Sequence, residues 1–287
     1  MQAIDTILVG MDWSEAAIDA WKEACLIART FGARVVLAHA VPDGLAPQDA
    51  EVVNRRVGEL LDDLAKDPAA QGVRAVASRV AQGRPSARLL ELADAESADL
   101  IVLGVGARTA LDRVLLGTTA EKIVRESSRP VWLVPPGGAR EQLRRVACAL
   151  DPAAPDPAAL AAAVYLCRTF VAALTVLGVV PGGEPLGARL AGLVGVAAGP
   201  GSTAEAEAAL RKALGRIDTH GLTVEVAVRA GKPAPELVDG AAAARADLLV
   251  LGAIPRSGVA RLTHSSVAER VVRHATLPVL VVKEPHA

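Results

Sequence analysis

The residues that could do chemistry gather around one loop. The run GVGARTALDRVLLGTT, Gly104 to Thr119, carries three glycines and ends in two hydroxyls. Glycine lets a backbone approach an anion closely. A helix opening after such a loop adds N–H donors and a partial positive charge. The chemistry on offer is phosphate binding, with Thr118 and Thr119 contributing hydroxyls. Asp12, just after the apolar run TILVGM, can accept hydrogen bonds from a ribose or orient a neighbouring loop. The same residues also have a plainer reading. Thr118-x-x-Glu121 is a capping box with Thr118 as N-cap, and Ser266-x-x-Glu269 repeats it. On that reading the hydroxyls only cap helices, and both readings stand at this level.

Other chemistries find no residues. There is no GxxxxGK[ST] loop, GVGART lacks the last glycine of GxGxxG, and no GxSxG elbow supplies a nucleophile. His264 beside Ser265 reads as a loop histidine. The five histidines show no ligand spacing and the three cysteines add none, so no structural or catalytic metal is expected. Asp112 is the only acid between Gly104 and Gly117, so no general base or metal-holding carboxylate pair is in view and no catalytic residue is assigned. Net charge is -1, from 31 basic and 32 acidic side chains, and aromatics are 2%. That removes the electrostatic drive and the stacking platforms that nucleic acid needs. No stretch approaches the roughly 18 to 20 apolar residues of a membrane span. Cys25, Cys148 and Cys167 form no CxxC and cannot all pair, and the start MQAIDTILVGMDW lacks a basic n-region. Both features point to a cytoplasmic protein with buried thiols.

The elements that must position these residues occur twice. ADLIVLG at Ala98–Gly104 returns as ADLLVLG at Ala246–Gly252, an offset of 148, and Ala120–Val134 returns at that offset as Ala268–Val282. Earlier in each half the offset is 139, pairing Asp12 with Asp151 and Val41 with Val180. The nine extra residues of the second copy fall between Val180 and Gly231. We read two domains, 1–138 and 139–287, joined near Pro135-Pro136-Gly137-Gly138. Each alternates short apolar runs with helical segments: TILVGM, a helix capped by Ser14 and ended by Gly32, ARVVLAHAV, a helix over Ala50–Lys66, VRAVASRVA, SARLLELADAES, DLIVLG, a helix after the glycine loop, and VWLV. Continuous apolar strands separated by helices imply an α/β fold, two tandem doubly wound five-stranded parallel sheets. Ligands of such sheets bind beyond the carboxyl ends of the strands, where strand order reverses. That places Asp12, Val41 and the Gly104–Thr119 loop together.

The start VGMDWSEAA, the run GRPSARLLELADAESADLIVLG and the loop after it resemble the universal stress proteins, in the tandem two-domain form, over nearly the whole chain. The resemblance implies an adenine nucleotide alpha hydrolase-like fold. Nucleotide-binding members carry G-x2-G-x9-G-[S/T], and here Gly104, Ala107, Gly117 and Thr118 take those places. The family places Asp12's position beside the nucleotide, and Val41's position bonds adenine through its backbone. In the second half Asp151, Val180 and Gly252 are kept, but Pro255 takes the second glycine's place and Ser265 and Ser266 the last two. Proline removes a donor and serine disfavours the φ > 0 open to glycine. The expectation is therefore one tight nucleotide per chain, in the first half, with Gly117 needed for its backbone angle. The implied cofactor is ATP, with or without Mg2+, and the implied role is nucleotide-dependent regulation of the stress response with at most slow hydrolysis. The alternative is a stress protein that binds no nucleotide and acts by dimerisation and partner contacts.

Family domains dimerise through their last strand, so Val131–Val134 is expected to pair antiparallel with Val279–Val282 within one chain, as a pseudo-dimer. Self-association into a homodimer through helices around Leu60 or Leu186–Val196 stays open.

Overall fold

The computed structural model describes residues 4–44, 46–106, 117–182, 202–252 and 267–283. Ala107, Asp112, Leu186–Val196, Pro255, His264, Ser265 and Ser266 lie outside the described residues. The chain divides into two compact units, one built on Gln2–Gln142 and the other on Leu143–Ala275 with Val279–Glu284.

In the first unit, β1 (Thr6–Gly10), β2 (Arg34–Val41), β3 (Ala75–Gln82), β4 (Leu100–Gly104) and β5 (Val131–Val134) form a parallel sheet in the order β3-β2-β1-β4-β5. Strand order reverses between β1 and β4. All five residues of β1 are buried. Side chains alternate between faces along a strand, so both faces of this sheet are covered, which is why the strand reads as one apolar run.

Between the strands run α1 (Glu15–Phe31), α2 (Pro47–Leu64), α3 (Pro85–Ala95) and α4 (Thr118–Glu126). α1 starts where Ser14 accepts a hydrogen bond from Ala17 N and stops at Gly32, whose φ of 67° is left-handed. α1 buries two acids with a task no helical pattern signals. Asp19 Oδ2 accepts from Gly137 N at 2.7 Å, and Glu23 Oε2 accepts from Arg140 N at 2.6 Å. The Pro/Gly segment after β5 is thereby tied to α1.

The second unit repeats the plan. β6 (Arg145–Ala149), β7 (Ala173–Val180), β8 (Val224–Ala230), β9 (Leu248–Gly252) and β10 (Val279–Val282) are parallel, in the order β8-β7-β6-β9-β10. Its described helices are α5 (Pro157–Phe170), α6 (Thr203–Leu214), α7 (Pro233–Ala243) and α8 (Val267–His274). The duplication extends to single hydrogen bonds. Asp99 Oδ2 accepts from Asp5 N and Thr6 N, and Asp247 Oδ2 accepts from Arg144 N and Arg145 N.

Candidate functional site

At the carboxyl end of β1 the chain turns sharply. Met11 N still bonds Ala38 O at 2.8 Å, and then Asp12, Trp13 and Ser14 lead into α1. Asp12 Oδ1 accepts from Ser14 N at 3.0 Å and from Ser14 Oγ at 2.6 Å. Ser14 Oγ in turn accepts from Ala17 N at 3.2 Å. The Asp12 carboxylate is thus exposed yet fixed, with its second oxygen outside this relay. Trp13 has φ 59°, a left-handed conformation unusual for a bulky residue, and its ring lies 4.7 Å from that of His39 on β2. His39 Nδ1 bonds Met11 O at 2.6 Å, which fixes its ring against the turn.

Gly104 ends β4 directly beneath this turn. A Cβ there would lie 2.6 Å from Ala16 O and would also meet Ala16 C and Ala17 N. Glycine is required because the first turn of α1 rests on the strand, a packing reason the loop motif alone does not reveal. Val41 closes β2, buried, and its carbonyl accepts from Gly83 N at 2.8 Å. A carbonyl has two lone pairs, so one remains.

β5 runs parallel to β4, so α4 must return from the carboxyl end, and its N-terminus lies at that end. Two sequence expectations need correction here. Thr118 is the first helical residue and not the N-cap. Gly117 is the N-cap, and among the described residues no side chain caps α4 there. The Thr118-x-x-Glu121 capping box is not formed, since it needs a hydroxyl one residue earlier. Gly117 also has φ −61° and ψ 148°, and a Cβ there meets nothing within 4 Å. Its backbone angle is open to any residue. What glycine leaves is an uncapped helix end with Thr118 exposed and Thr119 half-buried beside it.

The second unit departs at the same places. Asp151 Oδ1 accepts from Ala153 N at 2.9 Å, but Pro152 and Ala153 replace the Trp13 and Ser14 positions. Pro155 and Pro157 delay the helix, and Asp156 becomes its N-cap, accepting from Ala158 N and Ala159 N. A Cβ on Gly252 would lie 2.9 Å from Asp156 Cγ and closer still to its carboxylate. A carboxylate therefore stands where the first unit offers backbone, and it occupies the helix N–H groups. Sequence reading passed over Asp156, although PDP before an apolar helix signals it. Val180 repeats Val41, its carbonyl accepting from Gly231 N at 2.9 Å.

Among the described residues no three His, Cys, Asp or Glu side chains cluster as a metal site, and no helix is long and apolar enough to cross a membrane. The cysteines are buried and unpaired, and burial pushes the Cys25 and Cys167 thiols up to about 12 and Cys148 higher. They are not nucleophiles in this fold.

Comparison with known proteins agrees with this architecture. A Thermus aquaticus universal stress protein is 37% identical over 133 residues, covering 45% of this chain and 97% of its own. One from Methanocaldococcus jannaschii is 29% identical over 137 residues, covering 45% of this chain and 80% of its own. The crystal structure of a universal stress protein from Archaeoglobus fulgidus superposes with a TM-score of 0.74 at 19% identity, covering 99% of both chains, which speaks to the fold. The sequence profile described as the universal stress protein family matches residues 3–135 and again 142–283, and the chain belongs to that family, carrying two copies of its domain.

Proposed function

We propose that the first domain binds one adenine nucleotide, ATP in the first instance, and that the chain acts as a nucleotide-dependent regulator in the stress response. The observation that carries this reading is the uncapped N-terminus of α4 at Gly117-Thr118-Thr119, on the same sheet end as the fixed Asp12 carboxylate. Helix N–H groups that no described side chain caps suit a phosphate, and the two threonine hydroxyls extend the donor set. The free oxygen of Asp12 suits a ribose hydroxyl, and the remaining Val41 lone pair suits the exocyclic amine of adenine. Any Mg2+ would enter with the phosphates. No described residue has the position and freedom of a general base, so the site holds its ligand and turns it over slowly at most. In the second domain the Asp156 carboxylate at Gly252 repels a phosphate, which favours one ligand per chain.

A second reading has its own observation. Packing against Ala16 and Ala17 explains Gly104 without a ligand, and a stress protein acting only through dimerisation and partner surfaces would keep it. Calorimetry of the purified chain with ATP, with acid extraction of co-purifying nucleotide, decides. One site per chain supports the first reading. Two equal sites overturn the asymmetry, and no binding at millimolar ATP favours the second.

A further inference from the structure

At the amino end of the second domain's sheet, opposite the loops just described, an open cleft of about 630 Å³ is lined by Arg144, Arg145, Arg168, Arg245, His220 and Asp247. Arg145 starts β6, Ala173 starts β7, Thr223 precedes β8 and Asp247 precedes β9, so four adjacent parallel strands form its floor. Asp247 Oδ2 is engaged by the backbone N–H groups of Arg144 and Arg145. Arg168 pairs with Asp218 at 2.7 Å. Among the described residues Arg145 and Arg245 enter no ion pair, so guanidinium charge is in surplus.

The first domain shows that this surplus is no consequence of the fold. Its corresponding positions hold Asp5, Thr6, Arg34, Glu96 and Ser97 where the second has Arg144, Arg145, Ala173, Ala244 and Arg245. There the charges close on themselves. Glu96 bonds Arg34 at 3.0 Å and Arg79 at 2.5 Å, and Arg34 also donates to the Glu96 carbonyl. The second copy has lost the acid at the Glu96 position and gained three arginines around the same floor. It also keeps two side chains in left-handed backbone. Arg245 has φ 50° at the Ser97 position. Val171, 90% exposed at φ 55°, replaces Gly32 and forms an apolar lip. A β-branched residue rarely holds that conformation, and such strain gathers at functional sites.

We infer that this cleft is a binding site for a small, multiply phosphorylated anion, held by the guanidinium groups of Arg145 and Arg245 with Arg144 and Arg168 beside them. Guanidinium forks match phosphate oxygens two at a time. The volume fits a metabolite-sized ligand, since such sites run from roughly 300 to 1,000 Å³. The near-neutral net charge of -1 and the concave shape favour a small anion over nucleic acid, which needs an extended basic face. Cys167 lines the cleft, but its thiol is pushed up to about 12, so the site binds without thiol chemistry. The site is independent of the nucleotide proposed for the first domain.

The test titrates the full chain with sodium tripolyphosphate by calorimetry at low salt. It compares the wild type, Arg145→Thr with Arg245→Ser, and Arg145→Lys with Arg245→Lys. Threonine and serine are the residues the first domain carries at these positions, Ser97 at the same φ of 50°, so the fold should survive, as thermal melting checks. The Thr/Ser variant should weaken binding roughly tenfold or more, from two lost charge-assisted contacts. The lysine variant should fall between, keeping charge without the fork, while ATP binding at the first domain is unchanged in both. Equal tripolyphosphate affinity in the wild type and the Thr/Ser variant places the anion elsewhere and overturns the inference. So does the absence of binding at millimolar tripolyphosphate, and so does binding of a random DNA oligonucleotide that tripolyphosphate does not displace.

Discussion

Replacing Gly104 with alanine separates the two jobs this residue can do. The added Cβ would sit 2.6 Å from Ala16 O and closer still to Ala16 C and Ala17 N, against an ordinary contact distance of about 3.4 Å, so the first turn of α1 must retreat by about 1 Å. That turn cannot move alone. Ser14 Oγ holds Ala17 N, Asp12 holds Ser14, and Ala16, Ala17, Ala20, Trp21 and Ala24 pack the helix onto the sheet. Overpacking against side chains costs about 1 to 3 kcal/mol, and an obstacle made of backbone belongs at the upper end. Gly252→Ala is the internal control, because the atoms nearest its Cβ all belong to the Asp156 side chain and not to backbone. Rotating that side chain away loses the α5 cap, about 1 kcal/mol. Urea unfolding of both variants should therefore show Gly104→Ala destabilised by about 2 to 3 kcal/mol and Gly252→Ala by about 1 kcal/mol. Titration with ATP at low urea then asks the second question. If Gly104 also lets the backbone approach a phosphate, ATP affinity falls in Gly104→Ala and stays unchanged in Gly252→Ala. A Gly104→Ala protein within about 0.5 kcal/mol of wild type would refute the packing argument, as would Gly252→Ala being the weaker of the two.

The three thiols should resist alkylation at pH 8 in the native protein and react fully in urea, as mass spectrometry can count. Because burial raises Cys25 from 9.0 to about 12, the unfolded state releases its proton first, so native stability should decline as pH rises above 9.0. At Glu96, burial alone would raise the carboxyl, but hydrogen bonds from Arg34 and Arg79 outweigh it and hold it below 4.5. Its contribution is full above 4.5 and is lost as pH falls below. Glu96→Gln should then cost up to roughly 1 kcal/mol at neutral pH and flatten the acid limb of the stability curve, read from unfolding at pH 3 to 7. Trp13→Gly should leave stability within about 1 kcal/mol of wild type, because relief at φ 59° offsets the lost His39 ring contact. A loss above roughly 2 kcal/mol would show that the ring, and not the backbone, decides that turn.

How much of this was legible in the sequence depends on the range of the signal. The alternation of strands and helices and the Ser14 and Gly32 helix ends followed from apolar runs and cap residues, because those rules are local and both faces of the sheet are covered, whereas the strand order came only with the structure. The internal repeat carried the rest of the fold, since one half served as a reading of the other. The α4 start was missed by one residue because Gly117 and Thr118 are both acceptable caps in sequence, and the backbone geometry chose glycine. What the sequence could not show were pairings across the chain. Glu23 reads as one more helical acid until Arg140 N–H is found on it, 117 residues away. Asp156 reads as a cap until Gly252 is found beneath it. The same blindness covered Arg144, Arg145 and Arg245. Arg144 and Arg145 read as a solvated face or linker and Arg245 as one more exposed arginine, and only the parallel sheet brings them around one cleft. The two domains began as one sequence, and at both ends of the sheet the second has exchanged a backbone or an acid for the opposite sign of charge. Asp156 makes its carboxyl end hostile to phosphate while the arginines make its amino end receptive. Taken together, the two proposals put the duplicate's ligand at the opposite end of the sheet from that of the first domain.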